Sequence, residues 1–94
     1  MIAVIAKLNV AAGKEAAFEE VMLGLAKEVR ANEAGCDLYT LCKDADGNYL
    51  MLELYKTAED LDAHGKTAHF KGAGPKFAGL MAGAPSIQRL EVIG

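Results

Sequence analysis

The sequence has 94 residues, of which 52% are hydrophobic and 24% charged, and its formal net charge is −3 at pH 7. This composition predicts one globular domain spanning 1–94 and excludes a disordered chain. Lysines and arginines are scattered, which argues against nucleic acid or an anionic membrane as a partner. No apolar run approaches the roughly 18 residues of a membrane span, and the first residues do not resemble a signal peptide. We therefore expect a cytoplasmic protein.

The first half of the chain predicts a strand followed by an amphipathic helix. Residues 2–10 alternate in a way that gives one wholly apolar strand face. Gly13 then turns the chain into a helix, which we expect Gly35 to end. The apolar stripe of this helix recurs at three- and four-residue spacing: Phe18, Val21, Met22, Leu25 and Val29.

The second half predicts two strands, a helix, a weaker helical segment and a last strand. Residues 36–43 and 48–56 are the two strands, joined by a turn at 44–48 in which Asp46-Gly47 supplies a positive φ. Thr57 caps the next helix. Glycines interrupt the weak segment 69–83, where Pro75 is expected to open a short helix ending at Gly83. Residues 86–93 form the last strand.

Two cysteines, Cys36 and Cys42, fall within one predicted strand. Their spacing of six residues predicts that they share a strand face. A disulfide between them would require the strand to fold back on itself. We therefore expect reduced thiols, as is usual in the cytoplasm.

The element order β-α-β-β-α-β predicts a ferredoxin-like α+β fold, in which an antiparallel sheet carries both helices on one face. The wholly apolar strand faces are expected to meet the helices. The opposite, mixed face is then expected to carry Ile5, Lys7, Asn9, Tyr49, Met51, Glu53 and Tyr55. A surface this apolar and aromatic indicates an interface or a ligand cavity, which a second sheet packed face to face would enclose. We therefore expect a homodimer.

Two segments, 49–56 and 61–71, carry a family resemblance. They read YLMLELYK and LDAHGKTAHFK, and Glu33-Ala34-Gly35-Cys36 precedes them. A glutamate-x-tyrosine strand followed by an Ala-His…His-Phe helix resembles the antibiotic-biosynthesis-monooxygenase superfamily, and the resemblance covers essentially the whole chain. It implies a dimeric α+β barrel with a cavity in each subunit.

The sequence leaves three functions open, of which the resemblance implies the first two. The first is a monooxygenase that oxidises a small quinol or aromatic substrate with O₂ and needs no cofactor. The second is an isomerase of a phosphorylated carbonyl compound of the autoinducer-2 type. The third is a non-catalytic dimeric module that binds a small molecule. The haem-degrading branch is not expected, because it needs a tryptophan that this chain lacks and a histidine where Ala73 and Gly74 stand.

Three residues are candidates for catalysis: His64, Glu53 and Tyr55. An imidazole can exchange a proton near neutral pH, and a carboxylate or a phenol could orient it or the substrate. A packed imidazole at His64, and an ion pair of Glu53 with Lys7 or Arg89, remain alternatives. The candidates for substrate binding are Asn9, Tyr49, Met51, His69 and Phe70.

The two histidines, His64 and His69, do not predict a metal site. Five residues of ideal helix separate them by about 140°, so they would not share a helical face. The two-histidine zinc spacing on a helix is four residues. A solvent-facing or capping role for His69 is a further alternative.

Overall fold

The computed structural model describes all 94 residues, which form a four-stranded sheet covered on one face by helices. The strands are β1 (Ile2–Leu8), β2 (Cys36–Lys43), β3 (Tyr49–Tyr55) and β4 (Ser86–Glu91), and the helices are α1 (Glu15–Asn32), α2 (Ala58–Gly65) and α3 (Ala68–Ala73). The strand order is β2-β3-β1-β4, and every neighbouring pair is antiparallel. The ferredoxin-like α+β prediction is confirmed. None of the helices combines the length and the apolar character that a membrane span requires.

Local signals position the hairpin and α2 as the sequence predicts. Gly47 adopts a φ of 84°, and the Asp44 carboxylate accepts hydrogen bonds from the backbone N–H groups of Asp46 and Asn48. The Thr57 hydroxyl accepts a hydrogen bond from the backbone N–H of Asp60 and so caps α2. Each of these contacts joins residues no more than four positions apart, which is why the local sequence predicts them.

The end of α1 differs from the prediction. The helix stops at Asn32, and the backbone N–H of Glu33 bonds to the Val29 carbonyl. Gly35 does not adopt the positive φ of a helix-terminating glycine. It instead lies against α2, where an added Cβ would stand 2.2 Å from Cγ of Asp60. A glycine is required here for close packing.

The hydrophobic core lies between α1 and the sheet. Phe18 and Val29 of α1 are fully buried, and the Phe18 ring packs on the Tyr49 ring at 5.0 Å between centroids. The core also receives Met51 from β3 and Ala73 from α3. The helix stripe predicted from the sequence therefore meets the sheet.

The register of the sheet reverses the predicted faces of β3. Val4 pairs with Glu53 and Ala6 pairs with Met51, so the even residues of β1 share a face with the odd residues of β3. All four odd residues of β3 are buried under the helices: Tyr49, Met51, Glu53 and Tyr55. The prediction that they share a mixed face with Ile5, Lys7 and Asn9 is wrong. Both faces of β3 are apolar, so alternation alone could not choose between them.

The opposite sheet face, called the open face below, carries no buried residue. It includes Ile5 and Lys7 of β1, as predicted, but its β3 residues are the leucines that the prediction had assigned to the core. Its remaining members are Ala3, Leu38, Thr40, Cys42, Leu50, Leu52, Leu54, Ser86, Gln88 and Leu90. Most of this surface is hydrophobic.

A β-bulge at the start of β2 separates the two cysteines. Cys36 pairs with Tyr55, whereas Leu38 pairs with Leu54, so the register shifts by one residue between them. Cys36 therefore packs on the core side and Cys42, opposite Leu50, lies on the open face. The prediction that the cysteines share a face is wrong, because a bulge inverts the alternation that follows it.

The chain between α3 and β4 is less helical than predicted. A single 3₁₀ turn, Gly74–Phe77, contains Pro75, and no helix continues to Gly83. Residues 78–85, called the 78–85 loop, are instead hydrogen-bonded to the segment that immediately follows β1. The backbone N–H of Ala82 bonds to the Asn9 carbonyl at 2.7 Å, and the Asn9 side chain donates to the Ala84 carbonyl at 2.8 Å.

Candidate functional site

A cavity of about 490 Å³ lies between the sheet and the helices. Eighteen residues line it, and thirteen of them are hydrophobic. Two of the predicted substrate-binding residues line it: Met51 of β3 and Phe70 of α3. A cavity of this size and character suits a small, mainly apolar molecule.

Four polar side chains interrupt the apolar wall: Tyr39 of β2, Glu53 of β3, His64 of α2 and Arg89 of β4. The Tyr39 hydroxyl, Oε2 of Glu53 and Nε2 of His64 make no hydrogen bond within the chain, whereas every fully buried side-chain nitrogen or oxygen has a partner. These three atoms therefore border open space. Because their residues line the cavity, they are the groups that a bound molecule would meet.

Glu53 is held by its neighbour on the same strand face. The Tyr55 hydroxyl donates a hydrogen bond of 2.6 Å to Oε1 of Glu53. Burial raises the pKa of Glu53 above its usual value, and the Tyr55 bond and the nearby His64 oppose this rise. Tyr55 is fully buried and does not line the cavity, so it supports the Glu53 carboxylate and does not itself reach a ligand.

His64 is buried on α2 among aromatic rings. Its ring centroid lies 4.7 Å from that of Phe70, 5.1 Å from Tyr39 and 5.6 Å from Tyr55. Its Nδ1 atom lies 2.9 Å from Oε2 of Glu33. Glu33 thus anchors Nδ1 of the ring, while Nε2 makes no hydrogen bond within the chain.

Glu33 joins the two histidines, and the sequence analysis did not choose it as a site residue. Its Oε2 contacts Nδ1 of His64 and also Nε2 of His69, which lies 2.5 Å away. Its side chain is only 9% exposed. The one signal in the sequence was its place in the Glu33-Ala34-Gly35-Cys36 motif, which immediately follows α1.

The break between α2 and α3 explains how both histidines reach one carboxylate. Lys66 and Thr67 separate the two helices, and the Thr67 hydroxyl begins α3 by accepting a hydrogen bond from the Phe70 N–H. The angle expected for a continuous helix therefore does not apply. His69 lines a separate outer groove between α1 and α3, so it does not contact the cavity.

Arg89 of β4 supplies the only positively charged side chain that lines the cavity. It forms no ion pair with Glu53, although both residues line the same space. Lys7, the other residue considered as a partner of Glu53, lies on the open face. Within one chain, Glu53 therefore forms an ion pair with neither Lys7 nor Arg89.

Two further predicted substrate-binding residues lie outside the cavity. Asn9 holds the 78–85 loop through its bond to Ala84. The hydroxyl of Tyr49 donates to the Glu19 carboxylate at the helix-facing edge of the sheet. Neither lines this cavity, and both instead line a separate, smaller pocket of about 280 Å³. No three side chains among His, Cys, Asp and Glu are grouped so as to hold a metal ion.

Comparison with known proteins identifies the family of this chain. The sequence model described as antibiotic biosynthesis monooxygenase matches residues 1–76. A Caulobacter crescentus protein that carries this family's name has 44% sequence identity and a TM-score of 0.94, with 99% of this chain and 90% of that chain covered. No curated protein sequence matches the chain.

More distant structures share the fold. A Nitrosomonas europaea protein named for the same family is 26% identical with a TM-score of 0.90, and each chain is covered in full. Rv0793 from Mycobacterium tuberculosis is 23% identical with a TM-score of 0.89, and the match covers 99% of this chain and 95% of that chain. This match shows the fold alone. The family match over most of the sequence confirms the resemblance seen in the motifs, and the chain belongs to the antibiotic biosynthesis monooxygenase family.

Proposed function

We propose that the chain is a cofactor-independent monooxygenase that oxidises a small quinol or related hydroxylated aromatic compound with O₂. The observation that carries the proposal is an apolar cavity lined by His64, whose Nε2 makes no hydrogen bond within the chain. Membership of the family supports a monooxygenase reaction. The aromatic substrate and the use of O₂ are the parts of the proposal that go beyond family membership.

His64 is the general base in this proposal. Its Nε2 takes the proton of a substrate hydroxyl, and the resulting electron-rich aromatic anion is the species that O₂ oxidises. For a quinol, one oxygen atom replaces a ring hydrogen to give a hydroxyquinone, and the second leaves as water. The substrate supplies both electrons for that water, so no external reductant is required.

The other polar groups orient the substrate. The Tyr39 hydroxyl and Oε2 of Glu53 border the cavity and can hold a second substrate oxygen. Oε2 of Glu53 can accept a hydrogen bond from a second substrate hydroxyl, while the Tyr55 hydroxyl holds Oε1. Arg89 attracts a substrate that carries negative charge after deprotonation.

The isomerase alternative is less compatible with this cavity. A phosphorylated compound needs several donors for a doubly charged phosphate group. Arg89 is the single cation on a wall that is mainly hydrophobic. The non-catalytic binding module has the same cavity as the monooxygenase, so only an activity measurement separates them.

Oxygen consumption with a panel of quinols tests the proposal. The expected result is uptake of one O₂ per substrate and, with ¹⁸O₂, one labelled oxygen in the product. Replacing His64 by Ala or Gln should lower turnover at least tenfold, since general bases contribute about 10² to 10⁴. Binding without O₂ uptake, or wild-type turnover by both variants, would overturn the proposal.

We also propose that two copies pair through their open faces. These faces are largely hydrophobic, and Leu38 and Leu90 are 43% and 38% exposed. A stable pair would be expected to bury about 1,000 Å² or more in total. This arrangement keeps the predicted homodimer but replaces the predicted contacts of Tyr49 and Met51 with leucines of β2 and β3.

A further inference from the structure

We propose that Glu33 is a positioning residue whose carboxylate holds His64 in the tautomer that leaves Nε2 free to accept a proton. The inference deepens the proposed function, because it names the residue that prepares the base. Glu33 itself does not line the cavity. It acts on a ligand only through His64.

The first step is the direction of the hydrogen bond. Both carboxylate oxygens of Glu33 lie within 3.0 Å of Nδ1 of His64. An ionised carboxylate accepts hydrogen bonds but cannot donate them, so this contact places the imidazole hydrogen on Nδ1. A neutral imidazole carries one hydrogen, and Nε2 therefore presents its lone pair to the cavity.

The second step is the stability of this contact. The side chains of Glu33 and His64 are 9% and 6% exposed. Water therefore competes little with this contact, and the carboxylate holds the imidazole in one tautomer.

The third step is the role of His69. Its Nε2 contacts the same Oε2 of Glu33 from the side of the outer groove. With a histidine on each side, the carboxylate has a fixed orientation. His69 therefore acts on Glu33 and does not act on the ligand, although the sequence had suggested substrate contact.

The alternative is a purely structural carboxylate that satisfies the buried His64 and the partly buried His69. ¹⁵N NMR of the imidazole nitrogens reports which nitrogen carries the hydrogen without any substrate, and the kinetics of the Glu33 variants then separates the two roles. In the wild-type protein we expect neutral His64 to carry its hydrogen on Nδ1. Hydrogen on Nε2 in the wild type would overturn the inference, and this measurement requires no variant to fold.

Replacing Glu33 by leucine removes the acceptor at similar side-chain volume. We expect the His64 nitrogens of E33L to report a mixture of tautomers, and those of Glu33→Asp to keep hydrogen mainly on Nδ1. Glu20→Leu, an exposed change on α1, is the matched control and should leave the tautomer unchanged. A wild-type tautomer in folded E33L would overturn the inference.

Kinetics provides the second readout on a quinol that the wild type oxidises. We expect E33L to lower kcat at least tenfold with little change in KM, and Glu33→Asp to restore part of kcat. Unchanged kcat in E33L would overturn the role of Glu33 in the reaction. If the wild type oxidises no quinol, the proposed function fails. The NMR measurements still decide whether Glu33 sets the tautomer of His64.

Discussion

The Tyr55 hydroxyl and Oε1 of Glu53, two residues apart on one face of β3, are joined by a hydrogen bond of 2.6 Å. This bond satisfies one oxygen of a buried carboxyl group and leaves the other for the cavity. The strand geometry makes the pairing possible, since residues i and i+2 point to the same side. Tyr55, buried in the core, thus holds the Glu53 side chain in place at the edge of the cavity.

Burial of Glu53 predicts a pH dependence of stability. Its pKa is raised in the folded protein above the model-compound value of 4.5, so the folded state binds more protons than the unfolded state above that pH. The free energy of unfolding contributed by this group therefore falls as pH rises from about 4.5 through the folded pKa.

Glu53→Gln, which cannot ionise, should remove this pH dependence. Urea denaturation between pH 4 and 8 should show the wild type losing stability relative to E53Q as pH rises. Glu20→Gln, at an exposed position, is the control and should show no such trend. A stability difference between wild type and E53Q that does not change with pH would contradict the prediction.

Gly35→Ala should destabilise the protein by about 1–3 kcal/mol, because its Cβ would overlap the Asp60 side chain. Urea denaturation measures the change. Gly24→Ala in α1 is the matched control: nothing lies within 4 Å of the added Cβ, and a gain of roughly 0.5–1 kcal/mol is expected. Combining Gly35→Ala with Asp60→Ala should recover part of the loss. Equal effects of G35A and G24A would contradict the prediction.

Tyr39→Phe should weaken substrate binding by about twofold to tenfold, since a neutral hydrogen bond contributes roughly 0.5–1.5 kcal/mol. Its hydroxyl borders the cavity. Tyr49→Phe makes the same chemical change outside the cavity, where the hydroxyl bonds to Glu19. Measured KM values should rise for Y39F and change little for Y49F. The reverse order would favour the original prediction that Tyr49 contacts the substrate.

Leu52→Glu should separate the proposed dimer into monomers. Leu52 lies between Ile5 and Thr40 on the open face, so a carboxylate there would be desolvated by the partner. Leu23→Glu, on an outward-facing site of α1 that is 53% exposed, is the control. Sedimentation should report a monomer for L52E and a dimer for the wild type and L23E. A wild-type monomer at micromolar concentration would contradict the proposal.

The order of the elements was predictable because its signals are local. Periodicity, the Asp46-Gly47 turn and the Thr57 cap each involve residues close in sequence. The faces of β3 were not predictable, because both are apolar and the choice depends on the register with β1. A single bulge, between Cys36 and Leu38, likewise changed which residues of β2 share a face.

The cavity residues likewise divide into those that the sequence predicts and those that it does not. His64 and Glu53 were chosen from the family motif and from their chemical types, and both line the cavity. Glu33 was not chosen because its partners lie 31 and 36 residues further along the chain. Only the folded arrangement, with a break between α2 and α3, brings both histidines to it.

The cavity is built from two parts of the chain that can vary separately. Its reactive side chains come from β2, β3 and α2, whereas Met81 and Pro85 of its wall belong to the 78–85 loop. That loop is attached to β1 mainly through backbone groups and Asn9. Exchange of its side chains should therefore reshape the space around a bound molecule, while the polar side chains of the strands and of α2 keep their positions.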